Sequence, residues 1–298
     1  MSHQAQTEGV ASRERRRFLQ LLSAGAIAAA APVAARGEEY GPLRFGLTPV
    51  FLSNDLELLD MLQSYLEGAT GHPVELITRR TYQEVTALLV SGQLEAAWIC
   101  GYPFVKFRNS LELVAVPEWN GRPLYRSYVI VGAEREAENF LDLKGNIHAF
   151  SDPDSNSGFL VTRTLMFELG IAPETFFRKT LFTYGHRNVI RAVASDLAQS
   201  GSVDGYVWEV MRELEPDLVN RTRILRKSEL LGFPPVATSK ALAATPAIAS
   251  LKSALLSMRD SEQGRKVLDA LRLTGFVDAP ASTFDGIAAK VDELRGIL

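Results

Sequence analysis

The 298 residues are 46% hydrophobic and 22% charged, with a formal net charge of -3. Such a chain buries a large core, and the lack of a long basic block after the first twenty residues excludes nucleic acid as a partner. Cys100 is the single cysteine, so no internal disulfide framework holds the fold.

The chain opens on a targeting segment. Arg15-Arg16-Arg17-Phe18-Leu19-Gln20 precedes an alanine-rich apolar run from Leu21 to Ala31, and the small residues Val33-Ala34-Ala35 suit signal-peptidase cleavage. Paired arginines before Phe-Leu resemble a twin-arginine export signal. The run 18–31 falls short of the about 20 apolar residues that span a bilayer. Residues 1–35 are therefore predicted to be removed on export to the periplasm. The mature chain then carries 28 basic and 33 acidic residues.

Beyond the leader, short apolar runs alternate with amphipathic stretches, a rhythm that predicts an α/β fold. Leu43–Leu47 reads as a strand. Asn54 is placed to cap a helix carrying Leu56, Leu59, Leu62 and Leu66. Val74–Thr78 is a strand, Thr81–Gly92 a helix, and Leu94–Cys100 a strand entering a loop at Gly101-Tyr102-Pro103. This is one β-α-β-α-β unit. Strand-like runs follow at Leu111–Val116 and Tyr125–Val131. A second unit runs through the strand Ile147–Phe150, the polar loop 151–158, a helix to Leu169, the strand Thr180–Thr183, a helix over 187–199 and a strand at Val203–Trp208. Arg221–Leu225 reads as another strand, and helices are predicted over 246–258, 261–273 and 284–298. Two such units predict two lobes, crossed by the chain near 124–128 and 225–236. Residues 36–125 and 227–298 form the first lobe and 126–226 the second.

Four places carry residues suited to chemistry. Ser155-Asn156-Ser157-Gly158 offers hydroxyls, an amide and unpaired first-turn N–H groups at a helix start, which suits an anion and equally suits a plain N-cap. His186 follows Tyr184-Gly185 just before a helix, where it can face an anion, cap the helix or lie on the surface. Asp204 sits inside an apolar run, where a carboxylate needs a partner. It can accept a proton-bearing ligand oxygen or bond backbone N–H groups. Cys100 ends a strand at the sheet edge where open α/β folds place ligands, with Tyr102 beside it. Buried cysteine is also a common small apolar filler.

These residues resemble a known family. The stretch Asp142-Leu143-Lys144-Gly145 leading to Ala149–Gly158, then Gly185-His186, then Gly201-Ser202-Val203-Asp204-Gly205, is similar in order and spacing to the phosphonate- and phosphite-binding proteins of ABC transporters. The resemblance implies a bilobal type II periplasmic-binding fold, two doubly wound lobes joined by a two-segment hinge, that closes as a monomer on a small oxyanion. It places the ligand contacts on Ser155, Ser157, His186 and Asp204, with Asn156, Gly158, Cys100 and Tyr102 alongside. No cofactor and no metal are implied. The sequence departs from the family pattern at Asn156, which stands for a threonine, and at Cys100, which stands for a glycine. A soft thiol suits trivalent arsenic better than a phosphate-like oxyanion. The resemblance therefore extends to a branch of arsenite sensors that signal to a membrane histidine kinase. That sensor, with Cys100 as the arsenic ligand, is the expectation adopted from sequence. The alternative is a receptor delivering phosphonate, phosphite or phosphate to an ABC permease. An enzyme built on a Cys100–His186 nucleophile and base is set aside, because no third group orients the pair.

Overall fold

A computed structural model describes residues 41–48 and 56–296; the leader over 1–35 and the Asn54 cap fall outside the described residues. The chain begins with β1 (Leu43–Leu47), α1 (Leu56–Thr70), β2 (Val74–Thr78), α2 (Tyr82–Val90) and β3 (Ala96–Trp98). Strand β1 pairs in parallel with both β2 and β3, as two right-handed crossovers require. Helix α1 buries Leu58, Leu62, Tyr65 and Leu66. Its buried face is thus rotated from the predicted one: Leu56, in the open first turn, is 73% exposed.

Cys100 does not end a strand. Strand β3 stops at Trp98, and Cys100 is the N-cap residue of a short helix, α3 (Gly101–Lys106). The predicted loop is this helix's first turn, where Pro103 needs no donor N–H. The chain continues through β4 (Leu111–Glu118), β5 (Leu124–Tyr125), β6 (Ser127–Gly132) and β7 (Ile147–Phe150). A single π-turn, Asn156–Leu160, then leads into α4 (Val161–Glu168). After it come α5 (Pro173–Phe176), β8 (Lys179–Phe182), α6 (His186–Ala194), β9 (Ser200–Asp204) and α7 (Gly205–Leu214).

The predicted strand at Val203–Trp208 is therefore split. Strand β9 ends at Asp204, whose carboxylate accepts from the N–H groups of Tyr206 (2.8 Å) and Val207 (3.3 Å) and starts α7. The apolar run continues as a helix because Tyr206, Val207, Val210 and Met211 all bury on one side of it. The chain closes with α8 (Pro216–Val219), β10 (Thr222–Lys227), β11 (Leu231–Gly232), β12 (Val236–Ser239), α9 (Pro246–Leu256), α10 (Glu262–Leu271), β13 (Gly275–Val277) and α11 (Asp285–Glu293).

Two sheets result. One is six-stranded in the order β13-β4-β12-β3-β1-β2, the other five-stranded in the order β10-β6-β9-β7-β8. Each contains a parallel three-strand unit whose first strand is central, bordered by antiparallel strands. The fold is the bilobal type II periplasmic-binding architecture, one lobe on each sheet. The chain leaves the first sheet through β5 and returns through β11, and these two short strands pair with each other as a separate ribbon. No helix among the described residues is long and apolar enough to cross a membrane.

Candidate functional site

The C-terminal edges of the parallel strands point one set of loops at the junction of the lobes, as open α/β sheets do. After β7 comes the segment 151–155, then the π-turn. Ser155 is the N-cap of that turn, and its hydroxyl accepts from the Gly158 N–H at 3.0 Å. Gly158 is required by close approach: a Cβ there would lie 1.8 Å from Ser151 Oγ and 3.0 Å from His186 Cε1. Ser127 Oγ donates to the Ser157 carbonyl at 2.6 Å and so ties β6 to the turn. Behind the turn, His148 is sandwiched between Ser200 and Ser202 at 2.8 Å each, and Ser202 Oγ meets Thr162 Oγ1 at 2.6 Å. This wholly buried polar chain fixes α4, and with it the turn, on the sheet.

Around the turn the predicted residues converge. Cys100 Sγ accepts from the Asn156 N–H at 3.1 Å, and Asn156 Nδ2 donates to Tyr125 Oη at 2.8 Å. His186, 1% exposed, accepts at Nδ1 from the Asp204 N–H at 3.1 Å, and its Nε2 meets Tyr82 Oη at 3.2 Å. Asp204 pairs in register with Ser127, which places it beside the Ser157 carbonyl contact. Cys100, Ser155, Asn156, Ser157, Gly158, His186 and Asp204 are all buried at this junction. Tyr102 stands apart: its ring lies under the Lys106 ammonium (5.6 Å), which pairs with Asp154 at 3.2 Å.

Four polar atoms of this cluster are buried without a hydrogen-bond partner among the described residues: Ser151 Oγ, Ser157 Oγ, Asn156 Oδ1 and Asp204 Oδ2. The Ser157 hydroxyl approaches Tyr125 closely enough to affect its acidity but out of hydrogen-bond geometry. Partnerless buried polar atoms are rare and call for an explanation. Four lie together here, at the junction of the lobes.

Burial dominates the electrostatics. It drives the Asp204 carboxyl up to about 7, against the opposing amides of Val207 and Tyr206. It pushes the Cys100 thiol up to about 12, against the amides of Asn156 and Tyr102. It lowers His186 to about 3, which keeps the imidazole neutral. Because Nδ1 accepts, the one ring proton is on Nε2, which donates to Tyr82 Oη and frees the tyrosine's own proton for another acceptor. The cluster thus offers neutral donors and one carboxyl poised to hold or accept a proton. With both imidazole nitrogens engaged elsewhere, His186 is not paired with the Cys100 thiol. Among the described residues no group of three or more His, Cys, Asp or Glu could hold a metal ion.

Two of the clustered residues, Tyr82 and Tyr125, were not singled out from sequence. Tyr82 reads as an ordinary helix residue and Tyr125 as one of an apolar strand run. Both are wholly buried, and the hydroxyls of both reach the turn or His186. The one local signal was the position of Tyr82 directly after a Thr81 N-cap, at a helix end facing a sheet edge.

Comparison with known proteins agrees with this geometry. Residues 45–284 match the family model described as the phosphonate periplasmic substrate-binding protein of ABC transporters. The phosphate-import protein PhnD of Mycolicibacterium smegmatis is 25% identical over 262 residues, covering 80% of this chain and 81% of the relative. The crystal structure of a binding component of an ABC phosphonate transporter from Pseudomonas aeruginosa superposes with a TM-score of 0.79 at 19% identity, covering 86% of this chain and 88% of that one. PhnD1 of Prochlorococcus marinus in complex with methylphosphonate superposes with a TM-score of 0.77 at 18% identity, over 85% and 98% of the two chains. A family match over most of the chain, the bilobal fold and a polar cluster at the lobe junction lead to one conclusion: the chain belongs to the periplasmic phosphonate-type substrate-binding proteins of ABC transporters.

Proposed function

We propose that this protein is the receptor of an ABC importer for a small phosphorus oxyanion, a phosphonate, phosphite or phosphate, held in a form that carries at least one proton on oxygen. The observation that carries this reading is Asp204 Oδ2, buried and partnerless in a carboxyl whose affinity for protons is raised by burial. Once ionised, above about pH 7, the carboxylate would repel a fully ionised tetrahedral anion, while a P–OH group finds an acceptor. Ser157 Oγ and the Tyr82 hydroxyl serve the remaining oxygens as donors, and Ser155, Asn156 and Gly158 shape the turn beneath them. The named ligands of the similar proteins, phosphate for the Mycolicibacterium relative and methylphosphonate for the Prochlorococcus structure, support the same class.

The division into lobes 36–125 with 227–298 and 126–226 belongs to this reading, with the β5–β11 ribbon as the hinge of a monomer that presents its closed form to the permease. Export by the twin-arginine route and loss of residues 1–35 belong to it as well.

One observation favours the arsenite-sensor reading. The Cys100 sulfur is buried against Asn156, in the same cluster as the partnerless atoms. Arsenous acid would exchange one As–OH for an As–S bond, the thiol proton leaving with the hydroxyl as water, and a histidine kinase would then be the partner. Against it stand a thiol held firmly protonated and relatives named as a phosphate-import protein and a binding component of an ABC phosphonate transporter. Calorimetry of the mature protein against phosphate, phosphite, methylphosphonate, arsenate and arsenite tests both. Binding of a phosphorus oxyanion with none of arsenite supports the importer. Binding of arsenite alone overturns it.

A further inference from the structure

Tyr82, the first residue of α2 in the six-stranded-sheet lobe, is gripped at both ends by the other lobe. Its N–H donates to Asp152 Oδ2 at 3.2 Å, and its hydroxyl meets His186 Nε2 at 3.2 Å. Helix α2 already caps its own start: Thr81 Oγ1 accepts from the Glu84 N–H, and Glu84 Oε2 accepts from the Thr81 N–H. The Tyr82 amide has no acceptor within the helix, as for any first-turn N–H. Its acceptor comes from across the cleft, a carboxylate set at the positive end of the helix dipole. Asp152 is itself held in place, since its Oδ1 accepts from the Asp154 N–H at 2.8 Å. Two further bonds join the 152–156 segment to α3: Asn156 N–H to Cys100 Sγ, and Lys106 to Asp154. Asp152 is 2% exposed, and among the described residues its side chain bonds these two amides.

We propose that Asp152 is a positioning residue for ligand retention: it clasps the N-terminus of α2 and holds the lobes shut without touching the ligand. Closure then rests partly on protein-to-protein bonds, and the ligand leaves only when the Tyr82–Asp152 bond opens. The retention part rests on the proposed oxyanion function; the clasp itself does not.

Asp152→Asn tests this at nearly constant volume. Its one amide oxygen can accept from Asp154 or from Tyr82, not from both, and its NH2 group opposes the remaining N–H. Asp152→Ala is the second variant. Three measurements decide: amide exchange of Tyr82 and Gly158, small-angle scattering of ligand-free protein, and stopped-flow release of methylphosphonate or phosphate. The expected result is faster Tyr82 exchange with Gly158 still protected and a larger radius of gyration without ligand. Release should be roughly tenfold faster, as suits loss of a charge-assisted bond, with association within about twofold of wild type. A Tyr82 amide as protected as in wild type, an unchanged release rate, or loss of protection at Gly158 together with Tyr82 would each overturn the clasp, the last by assigning Asp152 to the fold of its own loop. Should wild type bind no phosphorus oxyanion, the functional reading fails, while exchange and scattering of the ligand-free protein still decide the clasp.

Discussion

Replacing Asp204 by Asn separates its two roles, because its two oxygens have different tasks. Oδ1 caps α7 through Tyr206 and Val207, and an asparagine oxygen does the same. Oδ2 has no hydrogen-bond partner among the described residues and becomes an NH2 group. Helix start and core should therefore survive, while a proton-bearing ligand loses its charged acceptor and meets a donor instead. A hydrogen bond to a charged group contributes about 1.5–3 kcal/mol, so phosphate or methylphosphonate should bind about 10- to 150-fold more weakly. At pH 8, where the wild-type carboxylate is ionised, sulfate, tetrahedral but without a proton, should gain affinity, because repulsion is replaced by a donor. The fold should not suffer. In wild type the folded carboxyl keeps its proton up to about 7, well above the usual carboxylate range. The folded state therefore binds more protons than the unfolded one in that window, and stability declines as pH rises through it. Without that burden, ligand-free Asp204→Asn should melt at pH 8 no lower than wild type. Calorimetry with phosphate and sulfate, alongside thermal unfolding, reads all three. A variant that keeps phosphate affinity within about twofold and gains nothing for sulfate would refute the assignment of Oδ2 to a ligand proton.

Ser157→Ala should weaken phosphate binding by roughly 1–3 kcal/mol while the ligand-free melting point moves little; unchanged affinity with lowered stability would leave the serine as scaffold only. Cys100→Ser should bind phosphorus oxyanions about as wild type does, and only under the sensor reading would it abolish protection of the fold by arsenite against heat. His148 and His186 are held neutral down to about 3, so unfolding takes up protons at them below about 6.5, and their contribution to stability is lost as pH falls from there. Asp204 and Asp152, both raised by burial, have the opposite sign and offset part of that slope. Asp204→Asn removes its share of the offset and should steepen that fall, and chemical denaturation at several pH values would expose a flat profile. Changing Arg15, Arg16 and Arg17 together to Lys should strand precursor in the cytoplasm, and undiminished periplasmic protein in a fractionation assay would count against the twin-arginine route.

The sequence by itself determined the α/β class and both β-α-β-α-β units, because apolar periodicity is a local property of the chain and survives without partners. It also marked the turn Ser155–Gly158, His186, Asp204 and Cys100, since hydroxyls, an imidazole and a carboxylate at element ends are conspicuous in an apolar run. Local reading failed where an apolar run could be either element. The run at 203–208 changes from strand to helix at Asp204 because the carboxylate finds the amides of Tyr206 and Val207, a choice no periodicity of six residues encodes. Tertiary structure alone decided which residues face one another. Tyr82 and Tyr125 enter the site from other elements, and Tyr82 is gripped by Asp152 and His186, 70 and 104 residues away. The protonation of Asp204, Cys100 and His186 was likewise decided in three dimensions, because burial sets it, and burial depends on both lobes.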